Sequence, residues 1–236
     1  MMLLISDQIK KDLLGFSDPE RAKKLSGYFK TDKGQYGEGD IFLGIPVPQQ
    51  RKVAKKYADL SLDDLQELLK SEIHEHRLTA LLILVSKYEK ADDRGKEEIF
   101  GFYLKNIGHV NNWDLVDSSA PRIVGDYLVK RDRAVLFKLA KSSSLWKRRI
   151  AVLATSAFVG NNDFVDALAI SKLLLLDEHD LIHKAVGWML REIGKRDQDV
   201  LEEFLEKYSV RMPRTMLRYS IEKFSEDKRK YYLTRK

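Results

Sequence analysis

An all-α fold built from stacked helix pairs is what this sequence predicts, and three observations carry the prediction. Apolar residues recur at spacings of three and four along most of the chain, as in Leu65, Leu68 and Leu69 or Leu78, Leu81, Leu82 and Val85. Helix breakers are scarce: there are five prolines and 13 glycines in 236 residues, and Gly34, Gly37 and Gly39 share one short window. From residue 60 onward the helical segments come in pairs that recur roughly every 30 to 40 residues, the spacing of HEAT-like or armadillo-like repeats that stack into an α-α superhelix. With 44% apolar residues the chain can bury a substantial core, and residues 1–236 are expected to form a single domain of that kind.

In chain order the helices are expected at 4–14, 18–30, 48–58, 62–70, 74–88, 94–106, 112–129, 132–140, 145–158, 163–175, 179–194, 197–207 and 213–224. Ser17, with Glu20 three residues on, reads as a capping box for the second of these, and Ser61 with Asp64 as a weaker cap for the fourth. The helix pairs are then 63–88, 96–130, 134–159, 163–194 and 197–224. A non-repetitive helical bundle is the plain alternative to stacking. The window from Thr31 to Gly44 resists a helical reading because it is too rich in glycine. Two readings stand there: a small exposed β-hairpin near 31–43 with Tyr36 close to its tip, or a flexible loop.

Lys and Arg number 42 against 36 Asp and Glu, a formal net charge of +6. That balance points toward an anionic partner, most simply nucleic acid. No stretch approaches the roughly 18 to 20 apolar residues of a membrane span, and Met1 to Ile5 is too short for a signal-peptide core. A cytoplasmic, nucleoid-associated monomer is therefore expected. The absence of cysteine excludes disulfides and thiolate metal sites. His74 and His76 lie on different helical faces, and His109, His179 and His183 have no ligand spacing. Neither a Gly-rich phosphate loop nor a nucleophile elbow occurs, so no metal or cofactor is expected.

Three elements carry chemistry. In 112–129, Val116, Ala120, Ile123 and Tyr127 share one side, with Trp113, Val124 and Leu128 at its edge. Trp113 and Asp117, four residues apart, share a face and offer an indole and a carboxylate to something cationic. Asp117 falls inside the apolar edge, whereas Asp114 projects about sixty degrees further toward solvent. Pro121 removes the amide that would bond the carbonyl of Asp117, which predicts a kink just past the acid. In the second element, Ile182, Val186, Met189, Leu190 and Ile193 form a core stripe, and Lys184, Trp188, Arg191 and Lys195 line the far side, an aromatic among cations. In the third, Trp146-Lys147-Arg148-Arg149 opens a helix with Ile150, Leu153 and Ala157 on its core side. Arg149 sits at the apolar edge, and Lys147 and Arg148 point outward, where an external anion would offset their misfit with the helix dipole.

Several blocks in a fixed order carry a family resemblance over nearly the whole chain: Gly27-Tyr28, Phe42-Leu43-Gly44-Ile45-Pro46, Trp113-Asp114-Leu115-Val116-Asp117-Ser118 with Pro121, Trp146-Lys147-Arg148-Arg149, and Lys184 through Glu192. In these blocks the chain resembles the AlkD-like DNA alkylation repair proteins, HEAT-like-repeat glycosylases acting on alkylated purines. The resemblance implies that Asp117 is the catalytic aspartate and that Trp113 and Trp188 flank the lesion sugar. It further implies that Arg149 is the active-site arginine and Tyr28 the tyrosine of the cleft. An N3- or N7-alkylated purine is already cationic and leaves readily, so the protein need only stabilise the developing oxocarbenium and position water. The family does so without the full base extrusion of pocket glycosylases. Lys147, Arg148, Lys184, Arg191 and Lys195 would hold phosphates of double-stranded DNA.

The link between Tyr28 and Phe42 is longer than in the glycosylase branch and carries the Gly-rich insertion. A hairpin there resembles the AlkF and AlkG branches, which are associated with branched DNA. The alternative function is accordingly a non-catalytic protein that probes DNA junctions with the insertion, through Lys33 and Tyr36. A scaffold for an acidic protein is a third reading.

Overall fold

The structure is a computed structural model and describes residues 5–235. Residues 1–4, which include most of the Met1 to Ile5 stretch and the first residue of the helix expected at 4–14, lie outside the described residues, as does residue 236. The described residues form helices, with no strand among them; an isolated parallel bridge joins Ile41 to Ile73. They divide into two compact units, one ending at Ser119 and the other beginning at Ala120. No helix among them is long and apolar enough to cross a membrane.

The first unit contains α1 (Ile5–Leu14), α2 (Pro19–Tyr28), α3 (Val47–Lys56), α4 (Leu62–Leu69), α5 (His74–Lys90), α6 (Asp93–Lys105) and most of α7 (Trp113–Ala120). Around α5 both flanks are covered: α3 and α4 pack on it, α1 packs on both of those, and α6 follows. Leu78, Leu81 and Leu84 of α5 are buried, and so are its polar residues His74, Glu75, His76, Arg77 and Thr79. A helix buried on nearly all sides must satisfy such groups internally. The helix starts follow capping chemistry. Ser61 caps α4 as expected, accepting from the Asp64 amide. The cap of α2 is Asp18 rather than Ser17: its carboxylate accepts from the Arg21 amide at 3.0 Å, and Pro19 occupies the first helical position.

Glu75 explains the Phe42-Leu43-Gly44-Ile45-Pro46 block. Its buried carboxylate accepts from the amides of Leu43 (3.0 Å), Gly44 (2.8 Å) and Ile45 (3.2 Å). Gly44 has a φ of +80°, and a Cβ there would lie 2.1 Å from the Asp18 carbonyl oxygen, so no larger residue fits the turn. Glu75→Ala would leave three amides without their acceptor, and a destabilisation of about 3 kcal/mol or more is expected in urea unfolding.

The Gly-rich window corrects the hairpin reading. Residues 31–40 form successive turns, closed by Gln35 N–H to Asp32, Glu38 N–H to Gln35 and Asp40 N–H to Gly37 carbonyls. The loop folds back onto the end of α2: the Gly37 amide donates to the Lys30 carbonyl at 3.0 Å. Tyr36 is no exposed tip. It is half-buried, and its hydroxyl donates to the Tyr28 carbonyl at 3.4 Å. Glycine-rich sequence lacks the alternating side chains that a hairpin would pack, and the backbone pairs locally instead.

The second unit contains α8 (Asp126–Leu128), α9 (Ala134–Ala140), α10 (Leu145–Ala154), α11 (Ser156–Gly160), α12 (Val165–Leu173), α13 (Asp180–Arg196), α14 (Gln198–Tyr208), α15 (Arg214–Ser220) and α16 (Glu226–Thr234). Helix α13 is central and packs on α10, α12, α14 and α15. Its contact with α15 is close because a Cβ on Gly187 would lie 2.5 Å from the Tyr219 Cβ. The helix expected at 112–129 is broken by a π-helical segment over Pro121–Gly125, where the proline supplies no N–H for the regular ladder. The helix expected at 145–158 is interrupted at Thr155, whose hydroxyl bonds back to the Val152 carbonyl at 2.6 Å. Helix α16 has no counterpart in the sequence reading.

Candidate nucleic-acid interface

Helix α7 presents the first group of candidate residues. Trp113 opens it and is half-buried, with the buried Phe29 ring stacked against the indole at a centroid distance of 5.1 Å and an interplanar angle of 6°. Tyr28 meets the same indole edge-on at 6.0 Å and is 64% exposed. The structure thus brings Tyr28 and Trp113 together and leaves the tyrosine accessible. Asp117 is one turn further along α7, half-buried. Its charge reaches the fully buried Tyr103 of α6, whose hydroxyl is pushed upward mainly by burial and further by Asp117, against its hydrogen bond with Ser119.

Asp114 departs from expectation. It is directed inward, onto Nε2 of the buried His74 at 2.8 Å, while the other His74 nitrogen meets Asp40 at 3.0 Å. Asp40 in turn accepts from Arg77 and from the Asn112 side-chain amide at 2.8 Å. The Asn112 side-chain oxygen accepts from the Trp113 amide at 2.8 Å. Burial alone would lower the His74 pKa, but the hydrogen bonds it donates to Asp114 and Asp40 outweigh it and raise the imidazolium to about 9. At neutral pH both ring nitrogens therefore donate. Phe42 stacks on this cation at 4.5 Å and 23°. Asp40 lies below the usual carboxylate range: burial pushes it up, and His74, Arg77 and Asn112 more than compensate. No sequence spacing announced this group, since its members come from three separate segments.

In the second unit, Arg149 of α10 is buried and donates to the Leu181 carbonyl at 2.7 Å. Lys147 is half-buried and has no ion pair among the described residues. Arg148 corrects its expected outward role. Its guanidinium grips Asp177 through Nε at 2.6 Å and also donates to the carbonyls of Ser142 and Ser143. A guanidinium so committed, with 17% of its side chain exposed, is a structural clamp and has little left for a phosphate.

The α13 stripe keeps its geometry and loses much of its free charge. Ile182, Val186, Met189, Leu190 and Ile193 are all buried. On the other side, Lys184 pairs with Asp180 at 2.7 Å, Lys195 with Glu192 at 2.8 Å, and Arg191 with Glu192 and Glu222. Trp188 is half-buried and donates its indole N–H to Glu192 at 3.1 Å. Burial pushes the Glu192 carboxyl up, but Lys195, Arg191 and Trp188 hold it below its ordinary value. A count of cations along one helix does not see the acids of its own turns or Glu222 in the turn after α15. Lys33, by contrast, is exposed on the Gly-rich loop. Among the described residues no cluster of three or more His, Asp and Glu is placed to hold a metal ion.

The comparisons fit an architecture of this kind. The family model described as "DNA alkylation repair enzyme" matches residues 9–224. Among solved structures, the chain is similar to a predicted DNA alkylation repair enzyme from Enterococcus faecalis, at 17% identity and a TM-score of 0.67, over 89% of this chain and 97% of that one. It is also similar to AlkD2 from Streptococcus mutans, at 17% identity and a TM-score of 0.55, over 94% and 98% of the two chains. A further Streptococcus mutans protein matches at 18% identity and the same TM-score. These identities speak for a shared fold. None of the curated proteins matches. The match over residues 9–224 shows that this chain belongs to the DNA alkylation repair enzyme family.

Proposed function

We propose that this protein is a monofunctional DNA glycosylase that excises cationic N3- and N7-alkylated purines from duplex DNA. The observation that carries the reading is the pairing on α7 of a supported indole with an acid one turn away: Trp113 is backed by Phe29 and edged by Tyr28, and Asp117 follows at i+4. An indole held rigidly pays little entropy to meet a positively polarised sugar, and a fixed carboxylate stabilises positive charge as the glycosidic bond breaks. Arg149 and Trp188 are assigned roles in the same reaction on the family blocks alone. The buried Arg149, with part of its hydrogen-bonding capacity anchored to a carbonyl, is suited to orient rather than to roam. Double-stranded DNA is the partner, with no metal or cofactor in the reaction; the protein would work as a nucleoid-associated, cytoplasmic monomer.

Purified protein should release 3-methyladenine or 7-methylguanine from methylated duplex, detected by chromatography of the free bases. An alkylated duplex from which no base is released under single-turnover conditions overturns the assignment. The branched-DNA alternative relied on a projecting hairpin, and a loop folded back on α2 gives it no such probe.

The phosphate contacts divide by how committed each cation is. Lys147→Ala should weaken duplex binding and flatten the dependence of log K on log salt by roughly 0.9, the slope of one released counterion. Arg148→Ala is expected to leave that slope unchanged and to lower the melting temperature instead, because it strips Asp177 of its partner. Equal slope changes for the two variants would show that Arg148 leaves its clamp to bind DNA.

A further inference from the structure

We infer that Asp40, the last residue of the Gly-rich loop, is a positioning residue that sets the pose of Trp113. The loop would then belong to the support of the indole, a different task from touching DNA. Two separate routes connect them. Through Asn112, Asp40 holds the side chain whose oxygen accepts the Trp113 amide: the distances are 2.8 Å for each of the two hydrogen bonds. Through His74, Asp40 is bridged to Asp114, the residue after Trp113, so the first two residues of α7 are anchored to one carboxylate. Arg77 fixes the second Asp40 oxygen from α5 and spends its remaining reach on the Ser71 carbonyl at 2.8 Å.

The aromatic stack runs in parallel. His74 faces Phe42 at 4.5 Å and Phe29 at 5.1 Å, and Phe29 carries the indole. The middle of the loop is tied to the same place, because the Tyr36 hydroxyl bonds to the carbonyl of Tyr28, whose ring edges Trp113. Asp40 is buried and accepts from three side chains. Nothing about holding a surface loop closed requires a buried carboxylate with that many donors. A group that must fix the start of a helix bearing a functional indole does require it, since an ångström of error in a reacting geometry costs on the order of 10²-fold in rate.

The consequence is testable without substrate. In a Trp146→Phe/Trp188→Phe background, Trp113 is the sole tryptophan, and its emission reports its surroundings. Asp40→Asn should shift that emission to the red and raise acrylamide quenching at a temperature where circular dichroism shows the helices intact. Asn112→Ala, which removes the link between Asp40 and the Trp113 amide, should do the same. As a control for stability loss alone, Leu205→Ala in α14 should lower the melting temperature and leave emission and quenching unchanged. Unchanged emission and quenching in folded Asn112→Ala or Asp40→Asn overturns the inference, as does an equal shift in the Leu205→Ala control. A second arm rests on the glycosylase reading: kcat for base release should fall by on the order of 10²-fold in Asp40→Asn. If no base release is found for the parent protein, the glycosylase reading fails and the fluorescence result still stands or falls by itself.

Discussion

Asp117→Asn is expected to release alkylated purine about 10²- to 10³-fold more slowly than the parent protein, the size of effect seen when one electrostatic stabiliser of a transition state is removed. The amide is nearly isosteric, so α7 should keep its packing and duplex affinity should change little. The measurement is single-turnover release of 7-methylguanine from a defined duplex at saturating protein, with binding followed separately by anisotropy. A variant with parental rate would mean that the acid does no chemistry; a variant with parental rate constant but weakened binding would make it a DNA contact. Asp114→Asn is the companion. It removes charge from the acid that faces His74, so its first effect should be on stability.

Stability should peak near pH 6.5 and fall on both sides, because two buried histidines of α5 shift in opposite directions. His74 is raised from 6.5 to about 9. Between those values the folded chain holds a proton that the unfolded chain has lost, so its contribution, complete below 6.5, drains away as pH rises toward 9. His76 is lowered from 6.5 to about 4, chiefly by burial. Between those values the unfolded chain holds the proton, so stability is lost as pH falls from 6.5. His109 and His179 are also lowered, first by burial, and steepen the acid limb. Across the middle of their own windows, His74 and His76 each contribute a slope of at most about 1.4 kcal/mol per pH unit. Urea unfolding across pH 4.5 to 9 reads this directly. His74→Gln should flatten the alkaline limb and His76→Gln the acid one. A single plateau from pH 5 to 9 would contradict the assigned protonation of both rings.

Much of the scaffold was legible in the chain, and the reasons are local ones. The α13 core stripe, the Ser61 cap and the break past Asp117 follow from helical geometry and from one missing proline N–H. Tyr28 and Trp113 were both singled out through the family blocks, and their rings are in contact. What escaped was long-range polar pairing. Asp40 and His74 are 34 positions apart and His74 and Asp114 are 40 apart, so a helical wheel could assign Asp114 an angle and no partner. Arg148 and Asp177 are 29 positions apart, and without that acid the basic first turn of α10 looked free for an external anion. Helix α16 was missed for another reason: its charged sequence has little amphipathic order, and Tyr232 is its sole buried side chain among the described residues.

The three backbone amides gathered by Glu75 are, in effect, an anion receptor whose guest is covalently attached. A chain that supplies its own carboxylate to such a cradle can also have it supplied from solution. Small carboxylates such as formate should therefore restore part of the stability lost in a Glu75→Gly protein, while chloride at equal ionic strength should do less. The turn that holds Gly44 would then behave as a ligand-dependent joint, with its strength set by the concentration of a molecule that the natural sequence has no need to find.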